Sequence, residues 1–137
     1  MISSAASGVF YSIAAGNEGA DACNSSPARA GTSDGIMTVA ATDTNNQEPS
    51  WSNYGACVDI WAPGVNILST RLKGGTTTLS GTSMAAPHVG GTGALYLSGQ
   101  QGASPAAVER ALKADAHPSG TKSKDGRDIT IDYAGGY

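Results

Sequence analysis

The sequence predicts an α/β fold, and three observations carry that prediction. Val9–Ala14, Ile36–Thr42 and Val58–Ala62 are short continuous apolar runs without strict alternation, the pattern of strands in a parallel sheet buried on both faces. Two segments with helix signals, Ser83–Leu97 and Pro105–Ala114, follow them. Strands come first and helices after, within 137 residues, a length that buries one modest core.

The first run ends in small residues, as a signal-peptide cleavage site would, yet no Lys or Arg precedes Arg29, so the basic leader region is lacking. After the third run, Lys73-Gly74-Gly75-Thr76 separates Ile67–Thr70 from Thr77–Leu79 with the glycines a chain reversal needs, which predicts a hairpin. Gly81 lets the chain turn sharply into a helix starting near Thr82, and Pro87 is placed in its first turn, where a missing N–H costs nothing. Ala85, Ala86, Gly90, Gly91, Gly93 and Ala94 leave little side chain on that helix, so it is expected to pack closely against neighbouring backbone. The next helix has Ser104 as N-cap, Pro105 in its first position, and Val108 and Leu112 on one face. Asp115-Ala116-His117-Pro118 reads as a turn with His117 in an exposed loop, and Asp128–Tyr133 as a closing strand.

Composition excludes several functions. Charged residues make up 14% of the chain, well below the roughly 25% usual in soluble proteins, and the net charge of −3 leaves no basic patch for nucleic acid. Lys122-Ser123-Lys124 is too short to form one. No apolar run approaches the roughly 20 residues that span a bilayer. Cys23 and Cys57 are the only cysteines; their spacing does not fit a zinc site, and the alternatives are a disulfide or two free thiols. A disulfide would imply an oxidising compartment.

Chemistry concentrates in Gly81-Thr82-Ser83-Met84-Ala85-Ala86-Pro87-His88-Val89. Ser83 sits at a glycine-to-helix junction, where first-turn amides lack intrahelical partners and can hold an oxyanion. His88 cannot serve as its base: five residues on along one helix, it points roughly 140 degrees away. It is expected to be satisfied by hydrogen bonds instead. A second segment, Ile13-Ala14-Ala15-Gly16-Asn17-Glu18-Gly19, ends an apolar run at an amide between glycines, which reads either as a turn or as an oxyanion donor. A serine esterase is the weaker alternative, because the Ser83 motif lacks the second glycine of Gly-x-Ser-x-Gly.

Residue by residue, the Ser83 run resembles the nucleophile motif of the subtilisin-like serine proteases, and the Asn17 segment is similar to that family's oxyanion segment. The resemblance implies Ser83 as nucleophile, Asn17 and the Ser83 amide as oxyanion donors, and Ala14, Ala15 and Gly16 as the lining of a roomy substrate pocket. It implies an incomplete three-layer α/β/α sandwich, strongly matched over residues 9–99 and weakly over 100–137, with Met1–Ser7 as the end of a helix. The family's Asp-Thr-Gly and His-Gly-Thr-His motifs, which supply the base and its orienting carboxylate, do not occur in these residues, nor does its Ser-Leu-Gly-Gly strand. Residues 1–137 are therefore expected to be the C-terminal half of one peptidase domain. The half is expected to be inactive alone on protein or peptide substrates and to need an N-terminal half. A non-catalytic remnant, or a partner complementing a separately encoded N-terminal half, is the other expectation.

Cys23 and Cys57 are similar in position to a bonded pair in the secreted bacterial branch of the proteinase K group, which implies a disulfide and secretion. Asp59, flanked by apolar residues, needs a partner. The residues alone leave calcium, a salt bridge or backbone hydrogen bonds open. The resemblance implies structural calcium, held by Asp59 with main-chain carbonyls of Asp34 and Ile36, although the loop from Pro27 to Asp34 is about three residues longer than in the family.

Overall fold

β2 (Ile36–Thr42) is buried at every position and forms the spine of the molecule. The computed structural model describes residues 1–137. Before β2 come the short helix α1 (Ile2–Ala6) and β1 (Tyr11–Ala14); after it come β3 (Ile60–Pro63), the hairpin β4 (Ile67–Thr70) and β5 (Thr76–Leu79), the helices α2 (Thr82–Gly99) and α3 (Pro105–Asp115), and finally β6 (His117–Lys122) and β7 (Asp128–Ile131). The main sheet has the order β1-β2-β3-β7-β6. β1, β2, β3 and β7 run parallel, with Tyr11 opposite Ile36, Val39 opposite Ile60 and Trp61 opposite Ile131, while β6 pairs antiparallel with β7.

The continuous apolar runs are explained by burial from both sides. On one face Met37, Val39, Ala41, Ile60 and Ala62 pack against Ala85, Ala86 and Val89 of α2 and Val108 and Leu112 of α3. On the other, Ala40, Trp61 and Ile129 meet Ala22, Ala28, Cys57 and Val58, so short 3-10 turns at Ala22–Asn24 and Ala28–Thr32 cover the sheet there. The Cys23–Cys57 disulfide ties this covering together.

α2 approaches β1 closely because it lacks bulk. A methyl built on Gly93 would lie 2.8 Å from the Phe10 ring, and Ser12 Oγ donates to the Ala86 carbonyl at 2.7 Å. Close packing holds for one face only, since Gly91, Ala94 and Leu95 are exposed. Pro87 lies in the second turn of α2 rather than the first, so no amide reaches back to the Ser83 carbonyl. α3 begins as expected, with Ser104 Oγ accepting from the Ala107 amide and Pro105 in its first position.

β6 is absent from the sequence reading. His117 is exposed as expected but opens this strand instead of lying in a loop, and its ring stacks on Tyr133 at 3.7 Å. The polar run His117–Lys122 becomes extended only because β7 offers it a ladder, with an irregularity between Pro118 and Lys122.

Candidate active site

Two backbone turns bring Asn17 and Ser83 together. β1 delivers Asn17 at its C-terminal end, and Gly81, with φ +154°, turns the chain into α2 so that Ser83 occupies the first helical turn. A methyl built on Gly81 would lie 3.6 Å from Asn17 Nδ2 and 3.7 Å from the Ser83 amide nitrogen. The two nitrogens therefore lie around one point at Gly81, which Met84 Sδ also approaches to 3.5 Å, and Ser83 itself is exposed.

Thr82, fully buried, holds this geometry. Its amide and its hydroxyl both donate to Asn17 Oδ1, each at 2.9 Å, while the hydroxyl accepts from the Gly16 amide at 3.0 Å. With Oδ1 so engaged, Nδ2 is turned outward and free to donate. Asn53, also fully buried, fixes the rest of the loop: Oδ1 accepts from the Glu18 and Ala20 amides at 3.0 and 2.9 Å, and Nδ2 donates to the Ala15 carbonyl and the Glu18 carboxylate at 2.9 and 2.8 Å. Neither residue's positioning role was read from the sequence. The detectable signal was weak: Thr82 stood inside the motif, and Asn53 was simply a polar residue in a polar loop.

The remaining candidate residues are distributed unevenly. Ala14 and Gly16 are half-buried, but the Ala15 methyl lies in the core against Ala22 and Ala28, so these three residues alone do not form a pocket. A cavity of about 320 Å³ does open at Ser83, lined by Ile67, Leu68, Ser69, Met84, Pro87 and His88. His88 is exposed, with Nδ1 2.8 Å from the Met84 carbonyl, and does not hydrogen-bond Ser83.

With Lys113 and the Thr38 amide against it, the Asp59 carboxylate is already engaged. Asp34 is exposed and Ile36 is buried at the start of β2, while the Asp59 carboxylate meets the Lys113 ammonium at 2.8 Å through Oδ1 and the Thr38 amide at 2.8 Å through Oδ2. Calcium takes six to eight oxygens at about 2.3–2.6 Å, and here both carboxylate oxygens already face positive donors. No group of three or more His, Cys, Asp or Glu side chains gathers anywhere in the molecule. Burial works against the Lys113 charge, but the hydrogen bonds and charges of Asp59 and Glu109 outweigh it and hold the ammonium above the ordinary lysine range.

The chain is similar to known proteins in sequence and in fold. The sequence model of the Subtilase family matches residues 2–137. Alkaline serine exoprotease A of Vibrio alginolyticus is 52% identical over 103 residues, which is 75% of this chain and 19% of that protein. Subtilisin-like protease 9 of Arthroderma gypseum is 45% identical over 130 residues, 95% of this chain and 31% of that protein. The crystal structure of a cold adapted subtilisin-like serine proteinase superposes with a TM-score of 0.89 at 41% identity, covering 96% of this chain and 47% of that one. The chain thus spans less than half the length of each of these proteins.

Proposed function

Because the chain belongs to the subtilase family, we propose that residues 1–137 are the C-terminal half of a subtilisin-like peptidase domain and carry the nucleophile and oxyanion hole of a serine endopeptidase. The observation that supports this reading is the convergence of Asn17 Nδ2 and the Ser83 amide on one point beside Gly81. In the reaction, Ser83 Oγ attacks the carbonyl carbon of a peptide bond in a protein or peptide substrate. Its proton passes to a histidine supplied by a segment outside these residues, and the charge that develops on the carbonyl oxygen is held by Asn17 and the Ser83 amide. The C–N bond then breaks, the leaving amine takes the proton, and water hydrolyses the Ser83 ester. The Cys23–Cys57 bond supports secretion into an oxidising compartment.

Without the aspartate and histidine the chain lacks its base, so residues 1–137 are inactive alone. The test is hydrolysis of a tetrapeptide amide by the purified chain, by the chain mixed with the Asp- and His-bearing segment of a relative, and by the same mixture with Ser83→Ala. Activity is expected only in the mixture with Ser83 intact. Hydrolysis by the chain alone, lost with Ser83→Ala, would overturn the requirement for a second segment. A mixture that folds together yet stays inactive would favour a non-catalytic remnant.

A further inference from the structure

The cluster where α3 meets the entrance of β2 and the segment before β3 assigns a role to Lys113. We infer that its ammonium is the resident cation of the Asp59–Glu109 carboxylate pair and stands where a divalent metal would otherwise sit. This inference is independent of the proposed peptidase chemistry. Lys113 Nζ lies 2.8 Å from Asp59 Oδ1 and 3.1 Å from Glu109 Oε1. Each carboxylate turns its other oxygen to a backbone amide, Asp59 Oδ2 to Thr38 at 2.8 Å and Glu109 Oε2 to Gly35 at 2.7 Å. The two side chains are only 6% and 13% exposed, so they need a counter-charge.

The cation is tethered by the fold itself. Lys113 sits in the last turn of α3, where the helix C-terminus favours positive charge, and Glu109 lies one turn earlier on the same face. Asp59 precedes β3, while Thr38 and Gly35 belong to β2 and its entrance. One ammonium thereby joins α3 to the segment that leads into β3. On the opposite side the loop backbone closes over the carboxylate, since a methyl built on Gly31 would collide with the Cys57 carbonyl and lie 2.5 Å from Thr38 Oγ1 and 2.8 Å from Asp59 Oδ2. Gly31 belongs to the 3-10 turn Ala28–Thr32 in the lengthened loop. A divalent ion would have to expel the ammonium before it could reach either carboxylate.

The experiment is thermal unfolding of the full chain, followed by circular dichroism in millimolar calcium chloride and in EDTA. The wild-type midpoint is expected to be the same in both. Lys113→Gln is expected to unfold about 10 °C lower in EDTA and to regain part of that loss in calcium, because the vacated carboxylates then take up an external cation. Lys113→Arg should keep most of the wild-type midpoint without calcium. A calcium-induced rise in the wild type that disappears in Asp59→Asn would overturn the inference, and so would a Lys113→Gln midpoint indifferent to calcium. The wild-type and Asp59→Asn arms decide the matter even if Lys113→Gln does not fold.

Discussion

Thr82 Oγ1 donates to Asn17 Oδ1 at 2.9 Å although 65 residues separate them, and the same hydroxyl oxygen accepts from the Gly16 amide at 3.0 Å. The hydroxyl is thus used in both directions at the junction of β1 and α2. Thr82→Val, of nearly the same shape, leaves a part-buried amide without its acceptor and should lower stability by about 1–3 kcal/mol. Thr82→Ser should recover most of the loss. Urea unfolding of the three proteins measures this, and equal midpoints for Val and Thr would show that the hydroxyl contributes nothing.

Glu48 is a second buried hub, with its side chain 2% exposed. It accepts from Trp61 Nε1 at 2.7 Å, Ser123 Oγ at 2.9 Å and Lys124 Nζ at 2.8 Å, tying the loop after β2 to the β6–β7 hairpin. Glu48→Ala should cost about 3 kcal/mol, because the indole N–H and the ammonium lose their acceptor. Hydrogen exchange should show the β6–β7 amides losing protection before those of β2. Uniform loss across both regions would contradict this placement.

Asp132 sets a pH dependence. Burial pushes its carboxyl above the ordinary value of 3.8, opposed by the Thr92 hydrogen bond and the His88 charge. Thr92 Oγ1 lies 2.6 Å from Asp132 Oδ2 and 3.1 Å from the His88 carbonyl, and one hydroxyl proton cannot serve both. With Asp132 protonated, its O–H donates to Thr92 and Thr92 donates to His88. The folded state therefore binds this proton more tightly than the unfolded chain. Its stabilisation is complete below the unfolded value and is lost as pH rises through the folded one. Asp132→Asn, a neutral mimic, should unfold at higher urea than wild type at neutral pH, with the difference disappearing on acidification. An unchanged or reversed difference at low pH would count against the assignment.

The disulfide closes a sequence separation of 34 residues, for which the chain-entropy model gives a stabilisation of about 4 kcal/mol. Reduction, or Cys23→Ser with Cys57→Ser, should lower the urea midpoint accordingly. The largest structural effect is expected on the 3-10 turns that cover the sheet. A reduced protein with an unchanged midpoint would show that the covering is held by burial of Ala22, Ala28 and Val58 alone.

Local signals carried much of this fold. The run Ile36–Thr42 announced a strand buried on both faces, Ser104 and Pro105 announced the start of α3, and the glycines after Lys73 announced a hairpin. Gly81 and Ser83 marked the site because turn and helix start are both encoded within a few residues. What stayed hidden depends on distant partners. His117–Lys122 is polar and becomes a strand only beside Asp128–Ile131. Asp59 announced its need for a partner, but Lys113 lies 54 residues away on another element. Asn53 looked like any loop amide until the chain folded back across Ala15 and Glu18.

α2 carries Ser83 at one end and Gly93 about 15 Å further along its axis, where the bare glycine backbone receives the Phe10 ring at the head of β1. The Ser12–Ala86 hydrogen bond lies between these two ends. Helix and strand therefore touch at two levels beyond the site, through a hydroxyl at Ala86 and through a ring at Gly93. A side chain at residue 93 would have to displace the Phe10 ring or push α2 off β1, so the close approach of the two elements depends on that position staying bare.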